Sequence, residues 1–480
     1  RPHRGPTMPR NALTFVCLLL SASPLVAQQN DGLVLAIVAG TIIVGSGENP
    51  LPSSVLLIRG QEIACVGDAE VCPIPEGVDR INAAGRWLIP GLIDTHVHFQ
   101  WNGERLAATG LEGPAPGVAD WLRWYLANGV TTIREASTSG TERETVALRE
   151  TAELAATPWP RIYVSGRIDP RNVRRYAARD VRDLTRMLIE LGVDGIKVRN
   201  GLSIEEVVSV IKEAAGHGIP VYGHTHTTPE SGIGVLDYTD EAVRSGLRGV
   251  MHLDWFAPPD ETRMPAEPSE PWGEENWVDW WLSNNSRWLY ADTVRLHARM
   301  LLMIRQGAWL EPTLITTAFL GNPEPYDEYV TEPMLEATYR GMKGGALPFS
   351  EEQRIQYFEA FRRAQDFVGT FHRAGGMLIT GTDNLPIFGV GIHDEMRLLV
   401  ESGLSPGSAL QAATRNAAQA LKWDERIGTL EVGKIADLLI LSADPLDDIN
   451  NTRAIWRVIK GGRVYDPVEL RSGFLRHQER

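Results

Sequence analysis

Between residues 87 and 380 the chain keeps one rhythm: a short apolar run, then a stretch with helical periodicity. The runs are Trp87–Ile93, Val130–Ile133, Arg161–Val164, Gly195–Val198, Pro220–Tyr222, Gly249–Met251, Trp309–Ile315 and Met377–Thr380. Helical patterns fill most of the gaps, among them Val181–Leu191, Ser203–Gly216, Tyr290–Arg305 and Glu351–Ala374. Two parallel strands need a crossover of helix length, so strand–helix alternation specifies a parallel sheet. Eight such units predict a (β/α)₈ barrel. The flanks read differently. Leu33–Val38, Thr41–Val44, Ser54–Arg59 and Glu62–Val66 are β-rich and broken by turn residues, and Leu438–Leu441, Ile455–Ile459 and Arg463–Tyr465 repeat that pattern at the other end. The expected architecture is therefore α/β: a TIM-like (β/α)₈ barrel over residues 88–425, with a small β-sandwich formed by both chain ends, residues 28–87 and 426–480.

Charge narrows the partners. The 480 residues carry a formal net charge of −14. An acidic surface repels polynucleotides and anionic lipid, so a nucleic-acid partner is not expected. Residues 1–27 read as a leader and signal peptide. Arg10 follows Met8, Ala12–Leu20 is wholly apolar, and Ser21–Ala27 is small-residue rich. The run is too short for the roughly 20 residues that span a bilayer, so no stable membrane insertion is expected. Cleavage near Ala27 would place the protein in a secreted or periplasmic compartment. Cys17 would leave with that segment. Cys65 and Cys72 flank a turn and are left either as a disulfide or as two free thiols, since geometry decides. A Trp-rich insertion, residues 254–288, holds Trp255, Trp272, Trp277, Trp280, Trp281 and Trp288. It suits a lid or binding element, and equally a subunit interface.

The histidines carry the chemistry. His96 and His98 end the first barrel run, and alternate residues of a strand point the same way, so two imidazoles can grip one metal. His224 and His226 follow the fifth run, His252 ends the sixth, and Asp383 ends the eighth in Thr380-Gly381-Thr382-Asp383. In a barrel these ends open on one face, where active sites are built. Five of the chain's 11 histidines thus share one rim. Lys197, in the fourth run, is costly inside a barrel unless paired or modified. It can be a salt-bridge partner of a rim carboxylate, or a carbamate that bridges two metals.

The ordered motifs Pro90-Gly91-Leu92-Ile93-Asp94-Thr95-His96-Val97-His98, Gly129-Val130-Thr131-Thr132-Ile133-Arg134, Gly192-Val193-Asp194-Gly195-Ile196-Lys197-Val198, Val221-Tyr222-Gly223-His224, Gly249-Val250-Met251-His252 and Thr380-Gly381-Thr382-Asp383 complete the pattern. With Ile427–Leu438 in the tail, they resemble the binuclear branch of the amidohydrolase superfamily, near its dipeptidase, prolidase-like and imidazolonepropionase-related members. The resemblance implies two divalent metal ions, with zinc the default for an imidazole-rich site. His96, His98 and Asp383 would hold the first and His224 and His252 the second. Carboxylated Lys197 would join them, and a hydroxide would bridge the pair. Asp383 would take the hydroxide proton and pass it to the leaving amine.

Two departures stand out. Dipeptidase-like relatives carry Tyr two residues after the fifth-strand histidine; here His226 stands there, with substrate contact its expected role. The Trp-rich stretch is longer than in such relatives. Tyr222 and Arg199 lie near the rim, and Arg199 is a candidate for a substrate carboxylate. His393 is a candidate for lining the entrance. The expected activity is hydrolysis of an amide bond in a dipeptide or N-acyl amino acid. A lactonase, phosphotriesterase or cyclic-amide hydrolase on the same site is the alternative. A deaminase or imidazolone-type hydrolase is disfavoured, because Thr227 stands where such relatives carry Glu. A non-catalytic binding barrel is disfavoured by the intact ligand set. Homo-oligomers, frequent in this family, are expected.

Overall fold

The computed structural model describes residues 34–98, 117–136, 142–154, 156–227, 236–265, 277–329 and 348–475. The expected signal segment, Cys17 and Trp272 lie outside the described residues. Fifteen strands among them form two sheets: β1 (Val34–Ile42), β2 (Leu51–Arg59), β3 (Glu62–Gly67), β4 (Asp79–Asn82), β5 (Trp87–Pro90), β6 (Leu92–Val97), β7 (Val130–Glu135), β8 (Arg161–Ile168), β9 (Gly195–Val198), β10 (Val221–Gly223), β11 (Gly249–Met251), β12 (Trp309–Glu311), β13 (Leu438–Leu441), β14 (Ile455–Lys460) and β15 (Arg463–Tyr465).

Strands β6 to β12 form a curled sheet in chain order, every pair parallel. Every residue of β6, β7 and β9 is buried. That is the signature of a parallel sheet covered on both faces, and it explains why these strands show no alternation between buried and exposed residues. The connecting helices carry their own stop and start signals. Asp180 caps Val181–Leu191 and Gly192 ends it in a left-handed turn; Ser203 and Glu206 form a capping box on Ile204–Ala215, as Ser350 and Gln353 do on Glu351–Arg373.

Two sequence-predicted strands are redrawn. The run Trp87–Ile93 divides at Pro90-Gly91: β5 joins the terminal sheet and β6 the curled one, with Gly91 N–H donating to the Asp437 carbonyl at 2.9 Å. The run Trp309–Ile315 stops at Glu311. Pro312 cannot donate to a ladder, and Thr313 turns at φ +46° into the helix Leu314–Gly321. The expected eighth strand, Met377–Thr380, is a hydrogen-bonded extended segment with one isolated bridge, Leu310 to Leu378. Its Ile379 N–H donates to Leu310 O at 3.1 Å, and Thr380 O accepts from Thr95 N–H at 3.0 Å. The two outer strands of the curled sheet, β12 and β6, therefore contact the same segment. Gly381 continues it, and a Cβ there would lie 2.6 Å from His96 Cβ. The close approach admits only glycine and breaks the regular ladder.

Both chain ends meet in one eight-stranded sheet of order β15-β14-β13-β5-β1-β2-β3, with β4 also beside β1. Its apolar residues cluster on two faces: Ile37, Leu56, Leu88 and Ile440 pack together, and Ala36, Val55, Leu57 and Cys72 form a second group. Cys65 and Cys72 are joined as a disulfide. Polar anchors tie this sheet to the curled one. Arg161 Nε donates to Asp437 at 2.9 Å, Asp437 also accepts from Gly461 N–H at 2.6 Å, and Lys460 Nζ donates to the carbonyls of Ala152 and Leu154. No helix among the described residues is long and apolar enough to cross a membrane.

Asp437→Ala leaves the almost fully buried Arg161 with Glu153 as its remaining carboxylate partner. Losing one partner of a buried pair should cost about 3 kcal/mol and lower the thermal midpoint. An unchanged midpoint would mean that packing alone joins the two sheets.

Candidate metal centre

His96 and His98 stand at the end of β6, and their rings lie 5.3 Å apart. His96 is held from behind. Its Nδ1 lies 2.7 Å from Glu311 Oε1, and both side chains are fully buried. Glu311 also accepts from Arg134 and from the Thr95 hydroxyl. Arg134 in turn donates through Nε to the Thr95 carbonyl at 2.5 Å. A carboxylate on Nδ1 fixes the tautomer and leaves the Nε2 lone pair facing the cavity. That nitrogen meets Lys197 Nζ at 2.8 Å.

Asp383 closes the group. Its Oδ1 lies 3.3 Å from His98 Nε2 and 3.7 Å from His96 Nε2. The donor atoms of His96, His98 and Asp383 all fall within 4.8 Å of one another. Asp383 and Asn384 both adopt left-handed backbone, at φ +49° and +69°. Asp and Asn tolerate that region better than most side chains. Asn384 grips the strand end opposite: it accepts from His98 N–H at 3.0 Å and donates to His98 O at 3.2 Å. The turn that presents Asp383 is thus pinned to the residue it must face.

The second half of the set comes from β10 and β11. The His224 and His252 rings lie 5.0 Å apart, and His252 is 4.8 Å from His96. His252 Nδ1 is 2.7 Å from the Thr313 hydroxyl, which donates onward to the Pro312 carbonyl. The imidazole must therefore donate through Nδ1, again leaving Nε2 free for a ligand role. His252 and Thr313 both sit at positive φ, +64° and +46°. For a β-branched threonine this conformation is costly, the kind of strain that persists at functional sites. His224 has two buried ring nitrogens and, among the described residues, no hydrogen-bond partner for either. An orphaned imidazole calls for a partner that protein atoms do not supply, and a metal ion fits.

Electrostatics agree with ligation. Burial pushes His96, His98, His224 and His252 well below the usual imidazole range, so each is neutral with a lone pair to give. Burial likewise pushes the Lys197 amine well down, helped by the positive charge of Arg199. The structure thus brings together His96, His98, Lys197, His224, His252 and Asp383 as the sequence expects.

Other expected contacts fare differently. His226 lies beside the cluster, its ring 5.7 Å from His224 and 5.9 Å from Trp255, and burial pushes it down to about 3. Arg199 is half-buried at the end of β9. Tyr222 is fully buried: its hydroxyl is 2.8 Å from Ser165 Oγ and its ring packs under Arg134 at 4.3 Å. It belongs to the sheet interior, with no surface left for a substrate. His393 is likewise sealed, not at an entrance. Its two ring nitrogens meet Thr452 Oγ1 at 2.9 Å and the Asn128 carbonyl at 3.1 Å, which ties its helix to the chain's C-terminal part. Of the Trp-rich insertion, the described part folds back on β11. Trp255 and Trp280 rings lie 6.3 Å apart, and Trp288 donates to the Leu253 carbonyl at 3.2 Å.

Sequence reasoning missed Glu311, Thr313 and Asn384, the residues that hold the ligands. A signal existed for the first: Glu311 is an acid at the end of an otherwise apolar strand. Glu311→Gln should lower metal affinity about 10–100-fold, measured by chelator competition. Unchanged affinity would mean that His96 needs no support from behind.

Comparison with known proteins agrees with this geometry. The profile of the Amidohydrolase family matches residues 87–465. An imidazolonepropionase of Hyphomonas neptunium is 26% identical over 424 residues, 80% of this chain and 87% of that protein. Two solved structures share the fold at 20% identity. A Xaa-Pro dipeptidase with bound methionine superposes at TM-score 0.61 over 90% of this chain and 100% of its own. A prolidase complexed with N-methylphosphonate-L-proline does so at 0.63 over 90% and 99%. Fold, donor set and sequence lead to one conclusion: the chain belongs to the amidohydrolase family and is a hydrolase acting on carbon–nitrogen bonds.

Proposed function

We propose that this amidohydrolase cleaves a linear amide, in a dipeptide or N-acyl amino acid, at a centre for two divalent cations, zinc by default. The observation that carries this reading is the convergence of six donors, five of them buried, with both nitrogens of His224 unsatisfied among the described residues. His96, His98 and Asp383 would hold one ion and His224 and His252 the other. Bound there, the cations supply Lewis acidity to polarise the scissile carbonyl and lower the pKa of an attacking water. Lys197 would serve as a carbamate ligand between them. Burial pushes its amine well down, toward the neutral form that takes up carbon dioxide.

Asp383 is placed to move the proton. It touches the cluster yet keeps 29% of its side chain exposed, so it would be open both to a water at the centre and to a leaving group above it. It would accept the water proton and deliver it to the amine, which leaves poorly as an anion. His226, beside His224, would contact the substrate carbonyl, and Arg199 its carboxylate. An imidazolone-type hydrolase is the second reading, favoured by the imidazolonepropionase relative. Against it, Thr227 is buried and its hydroxyl accepts from Leu236 N–H at 2.8 Å, so the side chain serves the backbone.

Around this site we infer a closed eight-stranded barrel, supported by the hydrogen bonds from segment 377–380 to both outer strands. The terminal strands would fold over as a small sandwich. The signal-like pattern of residues 1–27 and the paired Cys65 and Cys72 support a secreted or periplasmic protein, with a mature N-terminus near Gln28 as its mass-spectrometric sign. Assembly as a homo-oligomer accords with the prevalence of symmetric assemblies.

Purified protein should hold two metal ions per chain and turn over members of a dipeptide and N-acyl amino acid panel. Asp383→Asn should keep metal and lose about 10²–10⁴-fold in turnover. One ion per chain with full activity would refute the binuclear reading. Lys197→Ala should lose activity that short carboxylic acids partly restore; failure of rescue with metal still bound would argue against a carbamate.

A further inference from the structure

The Trp-rich insertion has no task in the mechanism. Its described part sets a row of rings against the candidate centre. The His226 ring lies 5.7 Å from His224, the Trp255 ring 5.9 Å from His226, and the Trp280 ring 6.3 Å from Trp255. Trp255 stands soon after β11, and Trp280 lies in the helix Trp277–Ser286.

One side of that helix grips Trp255. Trp280 and Asn284 are a turn apart on it, and Arg287 comes a turn later. Trp280 meets the Trp255 ring, Asn284 Oδ1 accepts from Trp255 N–H at 2.6 Å, and Arg287 lies over the ring at 4.9 Å. The Trp255 backbone is left-handed, at φ +59°, which a bulky residue adopts only where its surroundings impose it. Trp281 points elsewhere and packs against Phe349 and Tyr357.

Among the described residues, Trp255 and Trp280 join none of the hydrophobic clusters of the core. Phe256 and Trp288, from the same stretch, both do. Trp255 and Trp280 are each 5% exposed, close to the 6% of His98, His224 and His252, which a substrate must reach. Rigid aromatic rings held beside a polar centre and outside the packed core are what ligand pockets are built from.

We propose that Trp255 and Trp280 receive a large apolar side chain, aromatic by preference, on the acyl part of the substrate. This rests on the amide-hydrolase reading above and names the side chain which that reading leaves open. Strand order sets the direction. β10 lies between β9 and β11, so Arg199 beyond β9 and Trp255 beyond β11 stand on opposite sides of the strand end that presents His224 and His226. With the substrate carboxylate at Arg199, the acyl side chain falls to the tryptophans. An aromatic side chain gains ring contact there beyond its burial, whereas a glycyl or acetyl group leaves the apolar surface uncovered.

The test compares phenylalanyl-alanine with glycyl-alanine, and 3-phenylpropanoyl-alanine with acetyl-alanine. The members of each pair differ by one benzyl group. In whichever pair is hydrolysed, wild-type enzyme should prefer the benzyl-bearing member in kcat/KM by about 10–100-fold, the scale of burying one aromatic side chain. Trp255→Ala and Trp280→Ala should each lower that ratio severalfold with metal content unchanged. Trp255→Phe should retain most of it, and Trp281→Phe should leave it intact. Calorimetric binding of 3-phenylpropanoyl-alanine and acetyl-alanine to Asp383→Asn reads the same preference without turnover. A wild-type enzyme that treats both members of a pair alike, or a preference that survives both alanine variants, overturns the inference while amide hydrolysis stands. Tighter binding of the aromatic ligand, with no amide of the panel hydrolysed by wild type, overturns the amide-hydrolase reading and leaves the pocket in place. Neither turnover nor selective binding overturns both.

Discussion

A buried carboxylate with three partners holds the centre in register. Glu311 ends β12 and receives His96, Arg134 and Thr95, from β6 and β7 on the far side of the curled sheet. Three strands that are distant in sequence meet at one side chain. Burial pushes this carboxyl up, and Arg134 opposes that shift. Glu311 fixes the His96 tautomer by accepting from Nδ1, and Arg134 holds Glu311, so the arginine acts on the candidate site without touching it. Arg134 in turn rests on the ring of Tyr222. A single polar stack thus runs from the sheet interior to the rim.

Strain gathers at the same rim. His252, Trp255, Thr313, Asp383 and Asn384 all have positive φ without being glycine. Each costs on the order of 1–3 kcal/mol and persists only where the surroundings over-determine it. Those surroundings are visible: Thr313 under His252, Asn284 on Trp255, and Asn384 clamped to both polar groups of the His98 backbone. The strain turns side chains inward at the ends of very short strands. Strands β10, β11 and β12 have three residues each, so the ligands must come from the turns that follow them.

The terminal sheet supplies the frame. Strand β5 immediately precedes β6 and pairs with β13 from the other end of the chain, so the strand that presents His96 and His98 starts from a seam between both termini. Asp437 locks that seam by accepting from Arg161 of β8 and from Gly461 N–H. This arrangement accounts for a sequence motif, Ala436-Asp437-Leu438, that supplies no donor to the candidate centre.

Much of this was legible in one dimension. Periodicity separates strands from helices wherever burial is two-sided, and seven of the eight apolar runs contribute to the parallel sheet. Spacing alone also brings His96, His98, Lys197, His224, His252 and Asp383 to one rim, because strand ends share a face. Three-dimensional packing decided the rest. Whether a rim residue faces the cavity depends on what competes for its polar atoms. Tyr222 is claimed by Ser165 and Arg134, and His393 by Thr452 and Asn128, which no local pattern encodes. The supports Glu311, Thr313 and Asn384 were hidden for the same reason: a hydrogen bond across more than 60 residues leaves no periodic trace in the chain. The sequence by itself determined which elements form and which atoms can bind metal. Only the tertiary structure decided, by engaging Nδ1, that Nε2 of His96 and of His252 is the nitrogen left for it.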